Sequence, residues 1–183
     1  MPIRLDNIME RWAALFKEIR HSESAPRFFR YNDEMALDEF VQRYKNINGP
    51  VAGVRTHLEG RFDTAKRMDY PEEQFVVLMR ANQRDYIAQA DAKHRCKQIM
   101  KQFLVDLEHL RKEAQRSGDR TAPLAMLKLE DARYDTLGPV ANEWHAVFCT
   151  IENNEYEKFC YSESDYLTEE EAGWTDRTDR PPL

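Results

Sequence analysis

The chain has 183 residues, 42% apolar and 33% charged, with a net charge of −6. That supplies one core, but no run approaches the roughly 18 apolar residues in a row that a membrane span takes. Ten acidic residues against three basic from Glu152 onward give −7, leaving residues 1–151 at about +1, so the basic stripe of a general nucleic-acid grip is absent.

The first residues, Met1-Pro2-Ile3-Arg4, lack the apolar run of a signal peptide. Leu5, Ile8, Met9, Trp12, Leu15, Phe16 and Ile19 are spaced by three and four. They predict an N-terminal helix, with Asp6 or Asn7 near its start, packed on the sheet of its own domain. His21 to Pro26 reads as a turn or short loop, and Arg27 to Tyr31 as a short strand. Leu37, Phe40, Val41 and Tyr44 repeat at helical spacing after Asp33, and Asn46 to Pro50 breaks the chain.

Val54, Thr56, Leu58 and Phe62 alternate with Arg55, His57, Glu59 and Arg61. The period is that of one strand with a wet face, and Gly60 marks a bulge. Lys66 to Glu73, containing Asp69-Tyr70-Pro71, reads as a loop. Phe75 to Met79 is unbroken apolar sequence, a strand buried on both faces.

A long helix follows, capped by Asn82 or Asp85 and stopped by Ser117-Gly118. Its apolar residues are Ile87, Ala90, Cys96, Ile99, Met100, Phe103, Leu104, Leu107 and Leu110. At about 1.5 Å per residue it reaches about 45 Å, more than one small core covers. Either one end projects or another subunit covers it.

Leu124 to Leu137 alternates as a strand, Gly138-Pro139 is a turn, and Trp144 to Ile151 is apolar on both faces. Together they predict an antiparallel hairpin with a central second strand. From Asn153 the pattern dissolves. Tyr156, Phe159, Tyr161, Tyr166, Leu167 and Trp174 are scattered among Glu and Asp, too aromatic for an ordinary solvated tail. They predict an arm that docks in extended form.

The expected fold is α+β: a mostly antiparallel sheet packed against one long central helix and an N-terminal helix, with an extended acidic C-terminal arm. Residues 1–152 form a single domain and 153–183 the arm.

No catalytic signature emerges. His94 and Cys96 are two apart and diverge by about 200° around a helix. His145 and Cys149, four apart on a strand, are separated by about 13 Å, too far for one ion. None of the six glycines lies in a Gly-x-Gly arrangement, and no Gly-x-Ser-x-Gly occurs. Asp131/Asp135 and Glu169-Glu170-Glu171 read as solvated charge. Cys96, Cys149 and Cys160 are odd in number without zinc spacing and read as reduced packing thiols of a cytoplasmic protein. No metal, cofactor or catalytic residue is expected.

Phe75-Val-Val-Leu-Met-Arg-Ala, the Ala90-Asp-Ala-Lys-His-Arg-Cys-Lys-Gln-Ile helix and Leu137-Gly-Pro-Val-Ala-Asn-Glu-Trp-His-Ala-Val together resemble the small neck and tail-completion proteins of tailed bacteriophages. The resemblance covers residues 50–152 and lies in element order and a few degenerate residues, so no functional residue transfers individually. It implies a ring-forming neck, connector or tail-terminator subunit at the head–tail junction. Its partners would be further copies of itself and virion proteins such as the connector or tail tube. It implies no membrane, no sequence-specific nucleic acid, and a virion location after assembly in the bacterial host cytoplasm. The candidate contact surfaces are the helix end beyond Leu110, the strand face of Arg55, His57, Glu59 and Arg61, and the arm with its six large apolar residues. The alternatives are a small-ligand-binding or regulatory bacterial protein without catalytic activity and, third, an enzyme with a convergent site.

Overall fold

The computed structural model describes residues 5–32, 46–56, 59–65, 68–116, 123–140, 143–153 and 155–156. Helix α1 (Leu5–Leu15) turns Leu5, Met9 and Ala13, four apart, into the core. The predicted stripe does not run on to Ile19 as one helix. Leu15 is 73% exposed, the chain tightens through Phe16, and Arg20 takes a φ of 53°. That left-handed residue closes the turn after the helix, where the Arg20 amide donates to the Phe16 carbonyl at 2.9 Å, and Ile19 within the turn is fully buried. Asp6 is buried and accepts from Arg30 Nε at 2.7 Å, which pins α1 to the first strand.

The strands are β1 (Phe28–Tyr31), β2 (Val51–Arg55), β3 (Glu59–Asp63), β4 (Met68–Arg80), β5 (Leu127–Val140), β6 (Trp144–Asn153) and β7 (Glu155–Tyr156). The main path is β1-β2-β4-β6-β5, and β3 and β7 pair with β4. Among the described strands only β1 and β2 run parallel, so the sheet is mixed but mostly antiparallel. β6 lies between β4 and β5, the central position its two apolar faces predict.

Helix α2 (Tyr86–Arg116) lies across β4 and β6, with α1 beside it on β2. Asp85 caps α2: its Oδ1 accepts from the amides of Ile87 at 3.0 Å and Ala88 at 2.9 Å. The helix-side core joins Met9, Phe75, Val77, Phe103, Val147 and Cys149. A second cluster on the other sheet face includes Phe29, Val51, Val76, Leu78, Trp144 and Ala146. Alternate residues of β4 and β6 supply the two clusters, as the pleat dictates.

Five expectations are corrected. The strand read from Val54 to Phe62 is two strands, because the pairing with β4 moves from Val54↔Phe75 to Glu59↔Glu72. Five steps on one side thus face three on the other, a bulge, and β2 is buried from Val51 to Val54. Gly60 is not the irregularity. It sits opposite Pro71, where a Cβ would lie 2.8 Å from the Tyr70 carbonyl oxygen.

Residues from Met68 onward extend β4 and are not a loop. Pro71 is tolerated because it falls where β4's pairing passes from β6 to β7, between Glu72↔Glu152 and Asp69↔Glu155. Gly138-Pro139 is not the hairpin turn. It is a cis peptide inside β5, at the shift between Leu137↔Ala146 and Val140↔Trp144, and the chain reverses beyond Val140. Finally, Leu124 belongs to a short 3₁₀ turn (Pro123–Met126) and not to the strand. The helical pattern of Leu37 to Tyr44 and the Ser117-Gly118 stop lie outside the described residues.

One close approach carries a prediction. The Phe29 ring stands over its strand partner Gly53, where a Cβ would come within 2.5 Å of the ring. Gly53→Val is expected to cost about 1–3 kcal/mol, as overpacking does. Urea unfolding reads it, and an unchanged midpoint would mean that the ring yields freely.

Candidate functional site

The strand face predicted to carry contacts is divided by the fold. Arg55 closes β2, half-buried, and its Nε donates to the Asn32 carbonyl at 3.3 Å. Glu59 and Arg61 belong to β3, beyond the bulge, paired with Glu72 and Tyr70 of β4. His57 lies outside the described residues. Of the arm candidates, Tyr156 is the last residue of β7, paired with Met68. Phe159, Tyr161, Tyr166, Leu167 and Trp174 lie outside the described residues.

The long helix keeps His94 and Cys96 apart, as their spacing predicts. His94 Nε2 is 2.9 Å from Gln98 Nε2 on the exposed side, whereas Cys96 is fully buried. The Cys96 thiol donates to the backbone carbonyl of His145 at 3.7 Å and not to its ring. Burial pushes both the Cys96 and Cys149 thiols up to about 12, so neither is poised as a thiolate nucleophile. His109 faces Glu113 at 3.3 Å. Among the described residues no three His, Cys, Asp or Glu side chains converge as a metal site, and no helix is long and apolar enough to cross a membrane.

Two features were not visible in the sequence. The first is His145. Its side chain is fully buried on the helix-facing side of β6, and neither ring nitrogen has a hydrogen-bond partner among the described residues. Gly138 makes room for it: a Cβ there would lie 2.8 Å from His145 Nδ1. Desolvation first, and the nearby Lys93 second, lower its pKa, so the ring is neutral near pH 7.

The second is a groove of about 470 Å³ where the turn after α1 meets α2. Phe16, Ile99 and Val105 give it an apolar floor, and Glu18, Arg95 and Lys101 a charged rim. The floor is braced. Trp12 stacks on Phe16 with centroids 4.6 Å apart, and Trp12 Nε1 donates to Asp106 Oδ2 at 2.9 Å. Arg95 pairs with Glu18 at 2.6 Å.

No family model, curated protein or solved structure matches the chain. The molecule's own surface therefore carries the functional reading. Its most unusual feature is the extent of α2. Burial runs from Ala92 to Leu107, while Tyr86 is 83%, Ile87 75% and Leu110 39% exposed. Both ends of the predicted stripe thus leave the core. A network of Arg111 with Glu108 at 2.7 Å and Glu130 at 2.6 Å, and with the Leu127 carbonyl at 2.8 Å, ties the C-terminal half back to β5. Nearer the end of α2, Gln115 Nε2 donates to the Ala125 carbonyl at 3.2 Å, so the last turns rest on the 3₁₀ turn before β5.

Proposed function

We propose that the chain is a structural assembly protein, a ring-forming neck, connector or tail-terminator subunit of a tailed phage or phage-like particle, without catalytic activity. The observation that carries this reading is that the burial of α2 stops at Ala92 and Leu107, leaving the apolar Tyr86, Ile87 and Leu110 exposed. A subunit contact would cover these side chains. The sequence resemblance over residues 50–152 supplies the particle. A head-to-tail contact between unlike surfaces closes into a ring when the rotation divides a full turn. Here the unlike surfaces are the far end of α2 and the β2–β3 side with Arg55, Glu59 and Arg61. The groove beside α2 favours the second reading, a small-ligand-binding or regulatory protein.

The test is the assembled particle made by the host element. Symmetric rings of this chain are expected; single scattered copies, or absence from any particle, would return the question to the second reading. Deleting residues 157–183 removes no described strand. That variant is expected to keep its circular-dichroism spectrum and melting temperature while losing assembly. Assembly that survives at low and high salt would show the arm to be dispensable.

A further inference from the structure

We propose that the groove between the turn after α1 and helix α2 is the docking site of the chain's own acidic arm. Tyr166 and Leu167 would lie on the floor, and Glu169, Glu170 and Glu171 against Arg95 and Lys101. The inference does not depend on ring formation.

Charge is the first argument. The first 17 residues of α2, Tyr86 to Gln102, carry four Lys or Arg against one Asp, whereas Phe103 to Arg116 carries three of each sign. The basic half of the helix is the half that lines the groove. Lys97 turns away, its Nζ 4.7 Å from the Tyr134 ring centroid, and Lys93 does not line the groove. Arg95 and Lys101 remain as the cations of the groove rim, with Glu18 compensating part of the first. Residues 157–183 contain eight Asp or Glu against Lys158, Arg177 and Arg180. No other stretch of the chain joins large apolar side chains to a triple carboxylate as Tyr166-Leu167-Thr168-Glu169-Glu170-Glu171 does.

Shape is the second argument. Val105 is 63% exposed on the floor beside Ile99 and Phe16. The groove is open to solvent along its length, with a volume of about 470 Å³. Gln98 and Gln102 add amide donors at the rim, Gln102 already donating to Asp106 Oδ1 at 2.9 Å. An apolar floor with cations and amides above it suits an acidic segment led by an aromatic.

Reach is the third. The described chain ends at Tyr156, paired with Met68 at the end of β4. Arg111 of α2 donates to the Leu127 carbonyl, and Leu127 pairs with Asn153, three residues or about 10 Å of strand before Tyr156. From Arg111 back to Lys101 is about 15 Å of helix. The ten residues from Tyr156 to Tyr166 span about 33 Å when extended. The segment therefore arrives as a tethered ligand at high effective concentration.

A nitroxide at Thr168→Cys, in full-length isotope-labelled protein carrying Cys160→Ser, tests this. Cys96 and Cys149 are fully buried and stay unmodified. Amide signals of residues 98–105 are expected to lose intensity relative to the reduced nitroxide. The intensity should return in high salt, which screens the charges, and in the double variant Arg95→Glu, Lys101→Glu. Val105→Glu, at an exposed floor position, provides a second release that leaves the Glu18 pair intact. Full intensity in the parent, or losses unmoved by all three changes, would overturn the proposal. Losses that persist when unlabelled nitroxide-bearing copies are mixed with isotope-labelled, nitroxide-free ones would overturn it in favour of a neighbour's arm.

Discussion

Phe103→Asp is expected to unfold the domain. Phe103 is 1% exposed, its ring tilted against Trp12 and edge-on to Phe75, each with centroids 4.9 Å apart. It joins α1, α2 and the central strand at one point. A carboxylate there has no cation among these neighbours, and an uncompensated buried charge costs about 3–5 kcal/mol. Losing the aromatic contacts adds the cavity cost of a large-to-small change, again about 3–5 kcal/mol for Phe→Ala. Against a typical stability of about 5–15 kcal/mol, most or all of the folded state is lost. Circular dichroism on heating checks it. A variant melting within a few degrees of the parent would mean that this side of α2 does not hold the sheet.

The second large effect is a dependence of stability on pH through His145. The folded-state pKa is lowered, by desolvation and then by Lys93. The unfolded chain titrates near about 6.5. Between the lowered value and about 6.5, the unfolded state takes up a proton that the folded state refuses. Stability therefore falls as pH drops through about 6.5, by at most about 1.4 kcal/mol per pH unit, and is flat with respect to this group above it. His145→Met is expected to remove that slope. It should also raise stability at pH 7.5, because Met fills irregular space without leaving two ring nitrogens unsatisfied. Urea unfolding of both proteins at pH 5.5 and 7.5 measures it. Parallel losses in the two would place the dependence elsewhere.

Several elements were legible from local pattern alone. The i, i+3, i+4 spacing through Cys96, Ile99, Met100, Phe103 and Leu107 defines the buried side of α2. The apolar runs at Phe75 and Trp144 define two central strands that pair with each other. The candidate surfaces were less legible. Arg55, Glu59 and Arg61 alternate as if on one strand, and the bulge that separates them arises from pairing with β4. The groove joins Phe16 and Glu18 to Arg95 and Lys101, about 80 residues away in sequence.

The sequence by itself determined which side of α2 faces the core and that β4 and β6 are covered on both faces, because that follows from side-chain period and unbroken apolar runs. Only the tertiary structure decided where the elements stop and what they meet. Pro71 sits within a strand because a gap in its neighbour's pairing accepts a missing amide. Leu15, Ile87 and Leu110 continue their apolar stripes yet lie exposed, because a stripe is buried only as far as a partner surface extends, and that length belongs to the sheet and not to the helix.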